Sequence, residues 1–163
     1  MKTFEQQKAI GSQGEALLDS WLSRFYCLWA ASDEQERAGI DRLAKHHLSG
    51  RKFAFQYKID TRASSTGNAF VETCSVYRGG QCQVLGWAYT CKADYLFYLV
   101  NDGPLYICPT AAIKAYVSEE WKHYPSRRVR NSTWETEGLL VPLHTFEKAA
   151  KIVIGDPQCR KKT

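Results

Sequence analysis

No stretch of this 163-residue chain stays apolar for the roughly 20 positions that a membrane-crossing helix needs. The opening residues Met1-Lys2-Thr3-Phe4-Glu5-Gln6-Gln7 lack the apolar segment of a secretory signal. A cytoplasmic protein with no membrane partner is therefore expected. Cys-x-x-Cys pairs are also missing, and no His stands three to five residues from a Cys in a finger pattern. The six cysteines (Cys27, Cys74, Cys82, Cys91, Cys108 and Cys159) are accordingly expected to be reduced thiols that bind no metal. Cys74, Cys91 and Cys108 sit among apolar or aromatic neighbours and read as small hydrophobes. Internal repeats and low-complexity tracts are absent as well, which excludes solenoids and arrays.

The chain is 44% hydrophobic and 13% aromatic, far from the composition of disorder. At this length about two-thirds of the unfolded surface can be buried, so residues 1–163 are read as one domain. Formal net charge is +5, from 22 Lys and Arg against 17 Asp and Glu. That mild excess permits a polyanionic partner without requiring one. Its distribution says more. Arg127, Arg128 and Arg130 follow Lys122 and His123, and Arg160, Lys161 and Lys162 make a basic tail over 156–163. The tail reads equally as a solvated terminus.

Residues 4–25 predict an amphipathic helix, because Ile10, Leu17, Leu18, Trp21, Leu22 and Phe25 recur at helical spacing. Gly11 and Gly14 each weaken it by roughly 1 kcal/mol relative to Ala. Close packing or a neighbouring site would account for them. Strands are predicted over 26–31, 42–48 and 51–59, with Ser32 to Arg37 a loop and Ser49-Gly50 a turn. In the third strand, alternation puts Phe53, Phe55, Tyr57 and Ile59 on one face and Gln56 and Lys58 on the other. A Ser/Thr/Gly-rich loop follows over 61–68, then a strand over 69–77 and a turn at Arg78-Gly79-Gly80. Residues 82–91 fit either element. Strands over 95–100 and 105–108 flank the turn Asn101-Asp102-Gly103-Pro104. Thr110 is expected to cap a helix through Val117. Residues 118–138 show weak periodicity, 139–143 read as a strand and 145–151 as a short helix. The order implies an α/β protein, bordering on α+β, with a mixed sheet covered by the first helix.

Four polar residues stand out: Glu15 on the first helix, Asp41 entering a strand, and Gln56 and Lys58 two apart on the next. Singly, each has an ordinary reading as a solvated helix carboxylate, a turn Asp, or the wet face of a half-exposed strand. Together they are less ordinary. Simple hairpin pairing about Ser49-Gly50 sets Asp41 near Lys58, and Glu15 can project from the covering helix. Oxygen ligands beside an ammonium suit phosphodiester cleavage. Mg²⁺ takes oxygen donors and keeps several waters, and it acidifies a bound water while neutralising phosphoryl charge.

Gly14-Glu15, Gly39-Ile40-Asp41 and Gln56-Tyr57-Lys58 resemble the three motifs of the PD-(D/E)xK nuclease superfamily, nearest its Holliday-junction-resolvase-like and Mrr-like restriction endonuclease branches. The resemblance covers residues 10–60. It implies a restriction-endonuclease-like αβββαβ core with a central mixed sheet flanked by helices. It also implies a metal-dependent endonuclease acting on DNA, with Mg²⁺ as cofactor and Mn²⁺ as substitute. Catalytic residues would be Glu15, Asp41, Gln56 and Lys58. Metal ligands would be Glu15, Asp41, Gln56 and the backbone carbonyl of Tyr57. The departure is Gln56, where most members carry an acid; the Mrr-like branch is similar to this chain in using Gln-x-Lys. Glu72 offers a compensating carboxylate on the following strand. Many nucleases of this fold form homodimers, and none of these features asks for an organic cofactor.

Beyond the motifs, Arg62, Ser64 and Ser65 in the loop after Lys58 can touch phosphates, as can Arg78. Arg127, Arg128 and Arg130, interleaved with Trp121 and Tyr124, suit nucleic-acid contact or an ordinary basic surface loop. Two alternatives stand beside the enzyme: a catalytically weak or inactive nucleic-acid-binding module on the same fold, and a structural protein in which these residues are unrelated.

Overall fold

The structure, a computed structural model, describes residues 4–155. The basic tail and Cys159 lie outside the described residues. The chain is a mixed α/β protein with two sheets. Helix α1 (Phe4–Leu22) leads into β1 (Tyr26–Ala30), α2 (Asp33–Arg37), β2 (Arg42–His46) and β3 (Lys52–Asp60). A crossover of α3 (Ala63–Thr66), β4 (Asn68–Arg78), β5 (Gln81–Leu85) and α4 (Trp87–Thr90) then returns the chain to β6 (Tyr95–Val100). After β7 (Leu105–Pro109) and α5 (Thr110–Glu119) come β8 (Ser126–Arg130), β9 (Glu135–Pro142), α6 (Leu143–Phe146) and β10 (Ile152–Ile154).

The six-stranded sheet runs β1-β2-β3-β6-β7-β10 and is antiparallel except between β3 and β6. The second sheet, β5-β4-β9-β8, is antiparallel throughout. Helix α1 lays Leu18 and Leu22 on one face of the large sheet, against Phe55, Tyr57, Phe97 and Ile107. Gly14 has its reason there: a Cβ would come within 2.7 Å of the Ile59 side chain. The other face carries Leu96, Tyr98 and Val100. It buries Val71, Leu139 and Val141 of the second sheet together with Ile113, Trp121 and Phe146.

Several expectations are corrected. Helix α1 stops at Leu22 rather than 25, with Ser23 and Phe25 bonding back to Asp19 and Leu22 as the last turn closes. The loop expected at Ser32–Arg37 contains α2, because Ser32 and Gln35 form a reciprocal capping box. The loop after Asp60 holds α3. Residues 82–91 resolve into β5 and α4. Thr110 is the first helical residue rather than the cap; Pro109 takes that place, and the Thr110 hydroxyl donates to the Ala93 carbonyl. The last expected helix is one α-turn and one 3-10 turn, followed by β10. The thiols are not all reduced: Cys74 and Cys82 form a disulfide between neighbouring strands β4 and β5, while Cys27, Cys91 and Cys108 are free. No helix of the described residues is long and apolar enough to cross a membrane.

Candidate active site

The site begins where β2 and β3 part. Their ladder ends at Arg42 opposite Phe55. One residue earlier, Asp41 still donates its amide to the Phe55 carbonyl, at 2.8 Å. The next β3 amide on that edge, Tyr57 N–H, finds no backbone partner on β2. It donates instead to Asp41 Oδ2, at 2.6 Å. A carboxylate thus replaces a rung of the ladder and wedges the strands into a fork. A strand residue's N–H and C=O project to the same edge, so the Tyr57 carbonyl faces this fork, and Asp41 keeps its second oxygen for other work.

Helix α2 delivers Asp41 through a Schellman exit: Gly39 N–H bonds Glu36 O and Ile40 N–H bonds Gln35 O, each at 2.9 Å. Gly39 has φ +75°, and a Cβ there would lie 3.0 Å from Cys91 Cα and 3.3 Å from Gln56 Nε2. Glycine is required twice over, by the left-handed turn and by the close approach of the Gln56 amide.

Gln56 lies between Phe55 and Tyr57, both of which Asp41 bonds, and is only 4% exposed. It is therefore not on a wet strand face. Its Oε1 is buried with no hydrogen-bond partner. Leaving such an acceptor bare costs about 1–3 kcal/mol, so it is a buried oxygen in want of a donor or a cation. Lys58, two residues on, shares this strand face; its ammonium lies 6.0 Å from the Trp87 ring centroid. Free Cys91 is buried and donates Sγ–H to the Gly39 carbonyl at 3.2 Å. Burial pushes its thiol up, Lys114 and Lys58 oppose the rise, and Asp41 adds to it. The field of Lys58 and that of Asp41 thus meet at one buried sulfur.

From the opposite face, α1 brings Glu15 and Asp19, one helical turn apart. Arg42 Nη2 contacts Asp19 at 2.9 Å and Glu15 at 3.5 Å, and Tyr57 OH donates to Asp19 Oδ1 at 3.0 Å. Burial raises the Glu15 carboxyl above its ordinary value; Arg42 counters this, and Asp41 and Asp19 raise it further. Burial likewise drives the Tyr57 phenol up, with Asp19 adding to the effect. Glu15 is held at Arg42, the neighbour of Asp41, on the α1 side of the sheet, while Gln56 and Lys58 lie on the other face of β3. Asp19 and Arg42 were not singled out from the sequence, although Asp19 follows Glu15 by four and Arg42 adjoins Asp41. Cys91 gave no local signal.

The candidate oxygen donors are Asp41 and the Tyr57 carbonyl at the fork, Gln56 between Phe55 and Tyr57 on β3, and Glu15 on α1 beside Arg42, a hard set with no imidazole. No group of three or more His, Cys, Asp or Glu able to hold a metal ion occurs among the described residues. A cation here would rest on two carboxylates and neutral oxygens, which fits an ion that keeps several waters. The orphaned Gln56 oxygen meets that need.

Lys58 also lines a cleft of about 380 Å³ between the end of β3 and the outer face of the second sheet. Arg62, Arg127 and Glu72 join it there. The stretch expected to be a basic loop is strand β8, whose alternation sends Arg127 and Val129 to the cleft. Arg128 turns the other way, bonding Glu137 at 2.8 Å and lying 3.7 Å over the Tyr77 ring. Arg130 shares the face of Arg128, away from the cleft. Arg78 stands at the far end of β4, and Ser64 and Ser65 are exposed on α3; none of these lines the cleft. Comparison of the chain with protein-family models, with curated proteins and with solved structures finds no match in any of the three.

Proposed function

We propose that this chain is a metal-dependent endonuclease of the PD-(D/E)xK kind, hydrolysing DNA phosphodiester bonds with Mg²⁺ or Mn²⁺. The observation that carries the reading is the buried, partnerless Oε1 of Gln56 beside Asp41 at a strand fork, with Lys58 next on the same strand face. Glu15, Asp41, Gln56 and the Tyr57 carbonyl would hold the ion. When bound, it would acidify a water and offset charge on the phosphoryl oxygens. Lys58 presents its ammonium where negative charge builds in the transition state. Arg42 anchors Asp19 and Glu15, so α1 offers its carboxylate without a search of rotamers. The order α1, β1, β2, β3 and a parallel β6 is what an αβββαβ core would give; the crossover helices are here the short α3 and α4, with β4 and β5 between them.

A second reading, a DNA-binding module with little or no catalysis, is favoured by the neutral amide of Gln56 where an acid would add charge. Both are tested by incubating duplex, branched and single-stranded DNA with Mg²⁺, Mn²⁺ or EDTA, with Lys58→Ala beside the wild type. Metal-dependent cutting that the variant loses, with unfolding shifted by less than about 1 kcal/mol, is the expected result. Cutting that survives in Lys58→Ala removes lysine from the mechanism. Binding without cutting by the wild type selects the module, and loss of both refutes the two readings together.

A further inference from the structure

The cleft beside Lys58 is built unlike a duplex-binding surface. Its volume, about 380 Å³, is that of a pocket for one small ligand, such as a single base, rather than a groove for a double helix to enter. Lys58, Arg62 and Arg127 face it, and none of them makes an ion pair among the described residues. Phe70 and Trp87 supply aromatic walls. Cations for the backbone with aromatic faces for bases are what a single strand requires.

Two carboxylates line the cleft; Asp60 is taken up by the Arg62 and Ala63 amides and the Tyr98 hydroxyl, which leaves Glu72. Strand alternation directs Asn68, Phe70 and Glu72 to the cleft while Ala69 and Val71 are fully buried on the other face. Glu72 is held in place: Ser75 Oγ donates to its Oε1 at 2.5 Å. The support continues outward, with Thr136 Oγ1 donating to the Ser75 carbonyl at 3.2 Å and Asn131 Nδ2 to Thr136 Oγ1 at 2.9 Å. A fixed carboxylate repels phosphate, so it has no place in a site that binds backbone alone. It accepts hydrogen bonds from an exocyclic amino group, the contact by which Glu reads cytosine N4.

We infer that the cleft takes one unpaired nucleotide of a single DNA strand, with Lys58, Arg62 and Arg127 on the phosphates and Glu72 selecting cytosine over thymine. This rests on the nucleic-acid reading of the site. Thymine presents O4 to the same position, where a carboxylate is repelled. Glu72→Gln, which can also donate, should accept either base.

The test measures binding in EDTA, so that cleavage plays no part. Fluorescence anisotropy would follow labelled single-stranded oligo-dC, oligo-dT and a mixed-sequence duplex, on wild-type protein and on Glu72→Gln. The wild type should bind single strands about tenfold or more tightly than duplex, the scale of one stacked base. It should prefer oligo-dC over oligo-dT by about fivefold or more, and Glu72→Gln should erase that preference while keeping overall affinity. Equal affinity for duplex, no affinity for DNA, or a dC preference that survives Glu72→Gln would overturn the inference. Metal-dependent cutting of duplex with no single-strand preference would sink this inference and spare the nuclease. Single-strand selectivity without any cutting would do the reverse.

Discussion

Replacing Gln56 by Met separates a ligand from a core amide, because the two roles demand opposite changes in stability. The Gln56 side chain is buried and its Oε1 has no partner. An unmet buried acceptor costs about 1–3 kcal/mol, whereas a volume-conserving swap costs under about 1.5 kcal/mol. In EDTA the variant should therefore be as stable as the wild type or more so, by about 1 kcal/mol. For a chain of this size that raises Tm by about 2–4 °C. With ~10 mM Mg²⁺ and a dissociation constant near ~1 mM, the wild type gains about 1.4 kcal/mol, or about 3–6 °C. Gln56→Met should lose most of that gain, having one oxygen fewer at the fork. Gln56→Glu should move the other way, destabilised in EDTA by a third carboxylate beside Asp41 and Glu15 and rescued by the cation. Differential scanning fluorimetry with and without Mg²⁺ reads all three proteins. A Gln56→Met protein that melts lower in EDTA yet keeps the full Mg²⁺ shift would refute the ligand role and make Gln56 an ordinary core amide.

Asp41→Ala strands the Tyr57 amide at the fork and should cost about 1.5–3 kcal/mol by chemical denaturation, whereas Asp41→Asn keeps an acceptor and should cost less. If the two fall together, the carboxylate is not bridging the fork. Glu15 has a folded-state pKa raised above its ordinary 4.5, so the native state binds more protons than the unfolded chain between the two values. Stability therefore falls as pH rises through that window. Glu15→Gln should flatten this fall, and melting curves taken from pH 4 to 7 that overlay the wild type would refute the assignment. Reduction of Cys74–Cys82, which closes a loop of sequence separation 8, should cost about 2.5 kcal/mol in the chain-entropy account. That lowers Tm by about 5–10 °C; no shift with dithiothreitol, alongside two free thiols in peptide mapping of the untreated protein, would refute the bridge.

The elements around the fork were legible because short-range chemistry specifies them. Alternation in Lys52–Asp60 placed Phe55 and Tyr57 toward α1 and Gln56 and Lys58 on the far face, and that is the arrangement found. The register was not legible to the residue. Pairing about Ser49-Gly50 would set Asp41 against Lys58, but Asp41 bonds the backbone of Phe55 and Tyr57, because the ladder closes at Lys45 and Lys52. His47 leaves the hairpin to donate its amide to the Phe25 carbonyl at 2.9 Å, shifting the turn toward the N-terminus. Contacts of that kind join distant segments and leave no local trace. The same holds for Cys91 against Gly39, and for Arg127 reaching the cleft from a strand whose aromatic and basic residues looked like loop. The disulfide was hidden because residues 82–91 carried no clear period, so nothing placed Cys82 beside Cys74. Helix α2 is different. Its Ser-x-x-Gln box was readable, and the acidic run between the two residues masked it.

What joins these observations is how the chain spends its unsatisfied groups. A sheet normally consumes every buried amide and carbonyl in its ladders. Here Asp41 takes over one rung, so the Tyr57 carbonyl has no β2 residue opposite it, and Gln56 buries an acceptor with no donor in reach. Both defects lie within one residue of each other on β3, near Arg42, which pairs with Glu15 and Asp19 of α1. The rest of the neighbourhood shows no such slack: Asp60, two residues beyond Lys58, satisfies the amides of Arg62 and Ala63 and accepts from Tyr98. A fold that saturates Asp60 with donors could have supplied one to Gln56. That it withholds one from Gln56, next in sequence to the amide that Asp41 holds, is the physical reason to test a cation there, and it is why the stability of Gln56 variants is the most direct reading of the proposed site.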